Sequence, residues 1–140
     1  MNIIFSRNKN ALYLSQAFLA IFVGGFIYAT YRTRDLLMFD WFSFIGVNHF
    51  VNSLRMINFT LPEWIIFSLP DALWVYSFTL VMLCIWNRKI NKMSVLWIFT
   101  PVFLGVTGEF LQLFFVPGTF DLTDLTLCLF AGLPAVFLTK

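Results

Sequence analysis

Residues Ser94–Val116 read SVLWIFTPVFLGVTGEFLQLFFV, 23 positions with one ionisable side chain, Glu109. About 20 apolar residues in a helix cross the ~30 Å hydrocarbon core of a bilayer, so this stretch predicts a membrane span with a carboxylate inside it. Lipid offers no partner to backbone N–H and C=O groups, and a helix satisfies them internally. The run is continuously apolar, whereas a strand of a membrane barrel alternates. Working outward, three more stretches meet the same test: Leu12–Tyr31, Glu63–Trp86 with Pro70-Asp71 inside it, and Leu122–Thr139, slightly short and with Pro134 near its end. The predicted fold is all-α: a polytopic membrane helical bundle of four transmembrane helices, one domain over residues 1–140.

Composition gives the same class. The 140 residues are 60% hydrophobic, 20% aromatic and 11% charged, with mean hydropathy +0.84. A soluble domain carries about 25% charged residues, so too few charges are present to solvate a surface. That excludes an ordinary cytosolic enzyme, a disordered chain and a nucleic-acid binder; a net charge of +2 makes no basic face for nucleic acid. Cys84 and Cys128 both lie in apolar stretches and read as packed thiols, not as a disulfide. The first apolar run ends in Tyr28–Tyr31 and Arg32 with no A-x-A-like exit, so it reads as a retained span.

Lysine and arginine set the orientation. Arg7, Lys9, Arg88, Lys89, Lys92 and Lys140 fall on one side of a four-span arrangement; Arg32, Arg34 and Arg55 fall on the other, diluted by Asp35, Asp40 and Glu63. Both termini are therefore expected in the cytoplasm. Trp41, Trp64, Trp86 and Trp97 suit interfacial belts, and Gly24-Gly25 suits close helix packing.

The segment Arg32–Pro62 is too long for an unstructured connection in a compact domain. Val47, Phe50, Val51, Leu54 and Ile57 share a helical face opposite Asn48, Asn52 and Arg55. A fifth span would bury a central arginine, at ~2.5–3.5 kcal/mol, and would move Arg88, Lys89 and Lys92 outside. The stretch 41–59 is instead expected to be one amphipathic helix in the outer interface.

Ionisable residues inside apolar runs carry the functional information. Asp71 lies eight residues from Glu63, and Glu109 eight before Pro117; at 1.5 Å per residue each sits ~12 Å below the same face. Gln112 shares the face of Glu109 one turn nearer the mouth. Trp74 shares the face of Asp71, either lining a cleft or packing in the core. Asp121 and Asp124 suit the N-cap and first turn of the last span, a role compatible with ligand contact. Asp71, Glu109, Gln112, Asp121, Asp124 and Trp74 together predict an acidic, outward-opening binding cleft; as purely structural groups, Asp71 would serve a Pro70 kink, and Glu109 and Gln112 would bond across the bundle. His49 is the sole histidine, so no multi-histidine metal centre or Ser-His-Asp set exists. No catalytic residue, metal or cofactor is expected.

The residues Gly108-Glu109-Phe110-Leu111-Gln112, Pro117-Gly118-Thr119-Phe120-Asp121-Leu122-Thr123-Asp124 and Gly132 resemble the VanZ-like membrane protein family. That family carries Glu-x-x-Gln on one helix, then a Pro-Gly-Arg turn, two spaced aspartates, an Asn and a Gly. Glu109, Gln112, Pro117, Gly118, Asp121, Asp124 and Gly132 match; Thr119 replaces the arginine and Cys128 the asparagine. An earlier Asp-Lys element aligns only at Asp71, with Ala72 in place of the lysine and no histidine following. The resemblance implies a bacterial envelope protein of the cytoplasmic membrane that contacts a lipid-linked or glycan head group. Two other roles compete with it. One is an accessory subunit docking on a larger membrane complex through 41–59 and its Phe-rich helices. The other is a proton or cation path, which lacks any acidic residue in the cytoplasmic half of a span.

Overall fold

The computed structural model describes residues 2–33, 37–55, 59–114 and 120–138, with the side chains of 2–8, 37 and 38 left aside. Of the positions singled out above, Arg34, Asp35, Ile57, Val116, Pro117, Gly118, Thr119, Thr139 and Lys140 lie outside the described residues, as does the side chain of Arg7. The described chain is all-helical, without a strand, and contains eight helices: α1 (Asn2–Tyr31), α2 (Leu37–Ile45), α3 (Asn48–Leu54), α4 (Glu63–Phe67), α5 (Leu69–Ile85), α6 (Lys92–Gln112), α7 (Leu122–Ala131) and α8 (Leu133–Phe137).

Two helices are long and apolar enough to cross a membrane: Lys9–Tyr31 within α1, and α6. The other two predicted spans are each interrupted. Glu63–Trp86 turns at Ser68, between α4 and α5, because Pro70 has no N–H for the helix ladder and its ring crowds the carbonyl of Ile66. The 17-residue α5 is left as a shorter apolar helix. Leu122–Thr139 is interrupted at Gly132, two residues before Pro134. The third predicted span, Ser94–Val116, is helical to Gln112. The expected helix over 41–59 is also divided: α2 and α3 are separated at Gly46, whose φ of +79° is one that residues with a side chain rarely adopt. Hydrophobic periodicity runs straight through such a break.

α5 is the central element and packs on α1, α4, α6, α7 and α8, most extensively on α1. Its buried set is Pro70, Ala72, Val75, Ser77, Thr79, Leu80 and Leu83, mostly small. Small residues let helix backbones approach. Ser77 donates from Oγ to the Ala17 carbonyl of α1 at 2.8 Å, and a Cβ at Gly24 would lie 3.3 Å from the Pro70 carbonyl. By contrast, Gly25 faces open space. One core cluster joins Ala17, Leu80, Leu83, Ile98 and Ala135; a second joins Ala72, Val75, Cys128 and Ala131.

The α5–α6 connection is closed by two caps. The N–H of Arg88 bonds the Leu83 carbonyl at 2.8 Å and that of Asn87 the Cys84 carbonyl at 3.1 Å, ending α5 in a Schellman turn. Asn87 and Arg88 take φ of 50° and 62° to do so. Asn91 then caps α6, accepting from Met93 and Ser94 N–H groups, while Ser94 Oγ accepts from the Asn91 N–H in a reciprocal box. Asn10 of α1 donates to Asn87 Oδ1 at 3.0 Å, tying the turn to the bundle.

Gly132 tests the packing of α7 on α6. A Cβ there would fall 2.5 Å from Val102 Cγ2. Gly132→Ala is expected to destabilise by about 1–3 kcal/mol through overpacking, read as a lower thermal midpoint in detergent, with Val102→Ala in the same chain recovering part of the loss. Gly25→Ala is expected to leave the midpoint unchanged.

Candidate functional site

Because α5 and α6 are packed neighbours joined by a short turn, they run antiparallel. The N-terminus of α5 and the C-terminus of α6 therefore share one end of the bundle. Asp71 is in the first turn of α5, and Glu109 and Gln112 are in the last turn of α6. Arg88, Lys89 and Lys92 sit at the opposite end of the same pair.

Between α5 and α6 lies a cavity of about 400 Å³, lined by Asp71, Trp74, Val75, Phe78 and Met82, by Thr100, Pro101, Leu104, Gly105, Gly108, Glu109 and Gln112, and by Cys128 of α7. From position 71 to 82 on α5, and from 109 to 100 on α6, its walls run about 14–17 Å at 1.5 Å per residue. One end is polar, with Asp71, Glu109 and Gln112. The other is effectively apolar, since Thr100 Oγ1 already donates to the Leu96 carbonyl at 2.7 Å. Four of the six residues singled out in the sequence, Asp71, Trp74, Glu109 and Gln112, line this cavity.

Asp121 and Asp124 do not line it. Asp121 is the N-cap of α7, its Oδ1 accepting from the Thr123 N–H at 2.8 Å, where the helix dipole favours negative charge. Its own backbone N–H favours the Glu109 carboxylate electrostatically. Asp124, in the first turn of α7, interacts electrostatically with both Glu109 and Asp71. Three helix ends thus bring four carboxylates toward one place.

Their surroundings differ. Asp71 has a cation: Arg32 Nη2 lies 4.0 Å from its Oδ2. The same guanidinium reaches the Phe67 carbonyl at 3.4 Å and lies 5.2 and 5.0 Å from the ring centroids of Tyr28 and Phe67. Glu109 is only 5% exposed, and its Oε2 has no hydrogen-bond partner; Asp124 Oδ1 is likewise buried and unpartnered. A buried acceptor left unmatched costs about 1–3 kcal/mol.

Trp74 is exposed and packs on Phe78 at a centroid distance of 4.5 Å. It is no core residue, the other role its sequence position allowed. Asp71 and Trp74 also border a second cavity of about 410 Å³, whose remaining walls are Ile21, Gly24, Gly25 and Tyr28 of α1, Trp41 of α2 and Pro70. Cys128 is buried and lines the first cavity, and both cysteines are free thiols. Among the described residues, no three His, Cys, Asp or Glu side chains group as metal ligands.

Sequence reasoning missed the wall of the cavity. Stepping back from Glu109 and Gln112 at helical spacing gives Gly108, Gly105, Leu104 and Pro101, a stripe with small residues opposite the bulky side chains of α5. It also missed Arg55, which donates from Nε to the Ala29 carbonyl at 3.0 Å and from Nη2 to the Arg32 carbonyl. Those are orphan carbonyls at the end of α1, so Arg55 fastens the outer segment to the bundle beside Arg32.

No protein-family model matches the chain, and no match is found among curated proteins or solved structures.

The unpartnered oxygen of Glu109 gives a stability prediction. Glu109→Gln keeps an acceptor for the Asp121 N–H and removes repulsion from Asp71 and Asp124. The variant is expected to be more stable than the parent in detergent by about 1–3 kcal/mol, measured as a raised thermal midpoint; an unchanged or lowered midpoint contradicts a destabilising carboxylate.

Proposed function

We propose that this chain is a small integral membrane protein of the bacterial cell envelope that holds an amphiphile, its polar or lipid-linked head group at the acidic end of the α5–α6 cavity. The observation that carries this reading is the shape of that cavity: carboxylates and Gln112 at one end, an apolar trough along two helices behind them. Ligand cavities commonly combine an apolar lining with a few polar groups at volumes of 300–1,000 Å³.

The membrane part of the proposal rests on where the large apolar side chains point. Phe18, Leu19 and Phe22 on α1, Leu96 and Phe103 on α6, and Phe130 on α7 are all exposed. Only 22% of the apolar window in α1 and 17% of that in α6 is buried, whereas the core helix of a soluble protein is mostly buried. Small polar groups such as Ser77, Thr79 and Ser94 occupy the interior instead. In the proposed topology α4 and α5 cross together, 23 residues from Glu63 to Ile85 or about 34 Å. α7 and α8 form a shorter fourth crossing of about 24 Å, met by local thinning of the bilayer. The basic turn at Arg88, Lys89 and Lys92 then faces the cytoplasm, with both termini, and the acidic end faces outward. The likeness to VanZ-like proteins at Glu109, Gln112, Asp121, Asp124 and Gly132 belongs to this proposal and adds the envelope setting.

Two experiments test it. In a chain freed of Cys84 and Cys128 by alanine substitution, Lys89→Cys is expected to react with a membrane-impermeant maleimide only from the cytoplasmic face, and Thr60→Cys only from outside; labelling of both from one face removes the topology. Gly108 lines the cavity, and a Cβ there meets nothing within 4 Å. Gly108→Phe is expected to fill the polar half of the cavity and abolish lipid retention in native mass spectra at an unchanged thermal midpoint. Equal retention by parent and variant removes the binding reading.

A further inference from the structure

Resting on the binding reading above, we infer that the acidic end of the α5–α6 cavity selects a primary ammonium head group. The inference names the head-group chemistry, which neither the cavity volume nor the apolar trough specifies.

The unpartnered group that faces the cavity is an acceptor; the unpartnered donor at this end, Arg32 Nε, belongs to a side chain outside the lining. Glu109 is more than nine-tenths buried, lines the cavity and keeps Oε2 without a partner. Asp124 adds a second buried, unpartnered oxygen, Oδ1. Among the described residues, the cavity lining contains no Lys, Arg or His. The nearest cation described, Arg32, is held on the other side of Asp71 by that carboxylate, by the Phe67 carbonyl and by two aromatic rings. It compensates Asp71 and leaves Glu109 and Asp124 uncompensated.

A phosphate or carboxylate head group would meet several carboxylates at once, and like charges at close range repel strongly in a low-dielectric site. A neutral hydroxyl offers one donor to Glu109 Oε2 and no compensating charge. An ammonium offers three donors and a compensating charge, and hydrogen bonds to ionised partners are the strong ones. The aliphatic chain carrying that ammonium would lie along Phe78, Leu104 and Met82. The shared chemistry is R–NH₃⁺, whether on a membrane phospholipid such as phosphatidylethanolamine or on a free long-chain amine.

The test uses the full chain in phosphatidylcholine nanodiscs and three photoreactive probes with one identical 12-carbon, diazirine-bearing chain, ending in an amine, a hydroxyl or a carboxylate. Cross-links are mapped to peptides by mass spectrometry. The amine probe is expected to label the α5 and α6 walls about tenfold or more above the hydroxyl probe, the size of one charge-assisted hydrogen bond, and the carboxylate probe least. Glu109→Gln, with its fold verified by its thermal midpoint, is expected to bring amine labelling down to the hydroxyl level while hydroxyl labelling stays. Asp124→Asn is expected to reduce the preference in part. Competition by phosphatidylethanolamine but not by free ethanolamine assigns the ammonium to a lipid head group; competition by neither, with the amine preference intact, assigns it to a long-chain amine. Equal labelling by amine and hydroxyl probes overturns the ammonium inference and leaves the amphiphile reading standing. Failure of all three probes to label α5 or α6 overturns both.

Discussion

The close approach of α1 and α5 is the constraint on which the remaining arrangement depends. Where Ser77 Oγ meets the Ala17 carbonyl and the Pro70 carbonyl comes within 3.3 Å of the place a Cβ would occupy at Gly24, the two backbones are nearly in contact. Bulky side chains cannot fit at these two points, so Ala, Gly and Ser mark the closest approach of α1 and α5, Leu80 and Leu83 pack on Ala17 beside it, and Phe18 and Phe22 are left pointing away from the protein. With α1 holding one side of α5, α6, α7 and α8 share the rest of its surface. The same logic recurs at Gly105, where a Cβ would lie 3.0 Å from Val75 Cγ2 and 3.3 Å from Cys128 Sγ. One turn on, at Gly108, a Cβ would meet nothing within 4 Å, and the missing side-chain volume there opens onto the cavity.

Charge is distributed along this scaffold by helix ends. At one end, the Asn87-Arg88 turn brings Arg88 back over Tyr13 of α1, 5.7 Å from its ring centroid. Lys89 and Lys92 stay exposed beside it. At the other, Arg32 and Arg55, the described two of the three arginines on that side, are both used within the fold. Arg55 holds the last carbonyls of α1, and Arg32 holds Asp71. An arginine suits each place, since its planar fork serves two acceptors at once and stacks on rings. Arg55 also lies 4.7 Å from the Phe39 ring centroid, so α1, α2 and α3 are fastened at a single residue.

Four long apolar runs mark in the sequence where α1, α4–α5, α6 and α7–α8 lie, and the spacing of Glu109 and Gln112 puts both on one face of α6. Asp71 was assigned to the same end from distance along its run, and Pro70 was legible as a kink. Interruptions were less so. Gly46 divides α2 from α3 through a positive φ, which a face-by-face count of apolar residues does not register. The role of Arg55 depends on contacts 23 and 26 residues away in sequence, where local pattern carries no signal. The cavity itself is a property of two facing surfaces; either helix alone shows only a stripe. Asp121 and Asp124 were legible as a helix start, and the cap bond to Thr123 gives Asp121 that role in full.

Sorting the carboxylates by what the fold does with them isolates the one that the fold does not explain. Asp121 caps α7, Asp71 has Arg32 and the N-terminal end of the α5 dipole, and Asp124 sits where the α7 dipole favours it. Glu109 has the opposite setting: it lies in the last turn of α6, where the dipole disfavours negative charge, and three other acids repel its carboxylate. A leucine at that position would carry none of these costs. Residues that lower stability without structural return are concentrated at binding and catalytic sites, where the deficit is made good when a ligand arrives. The deficit at Glu109 consists of an unmet acceptor and an excess of negative charge at the head of an apolar trough, and the proposed ammonium amphiphile would supply the donor, the positive charge and the apolar chain that match it.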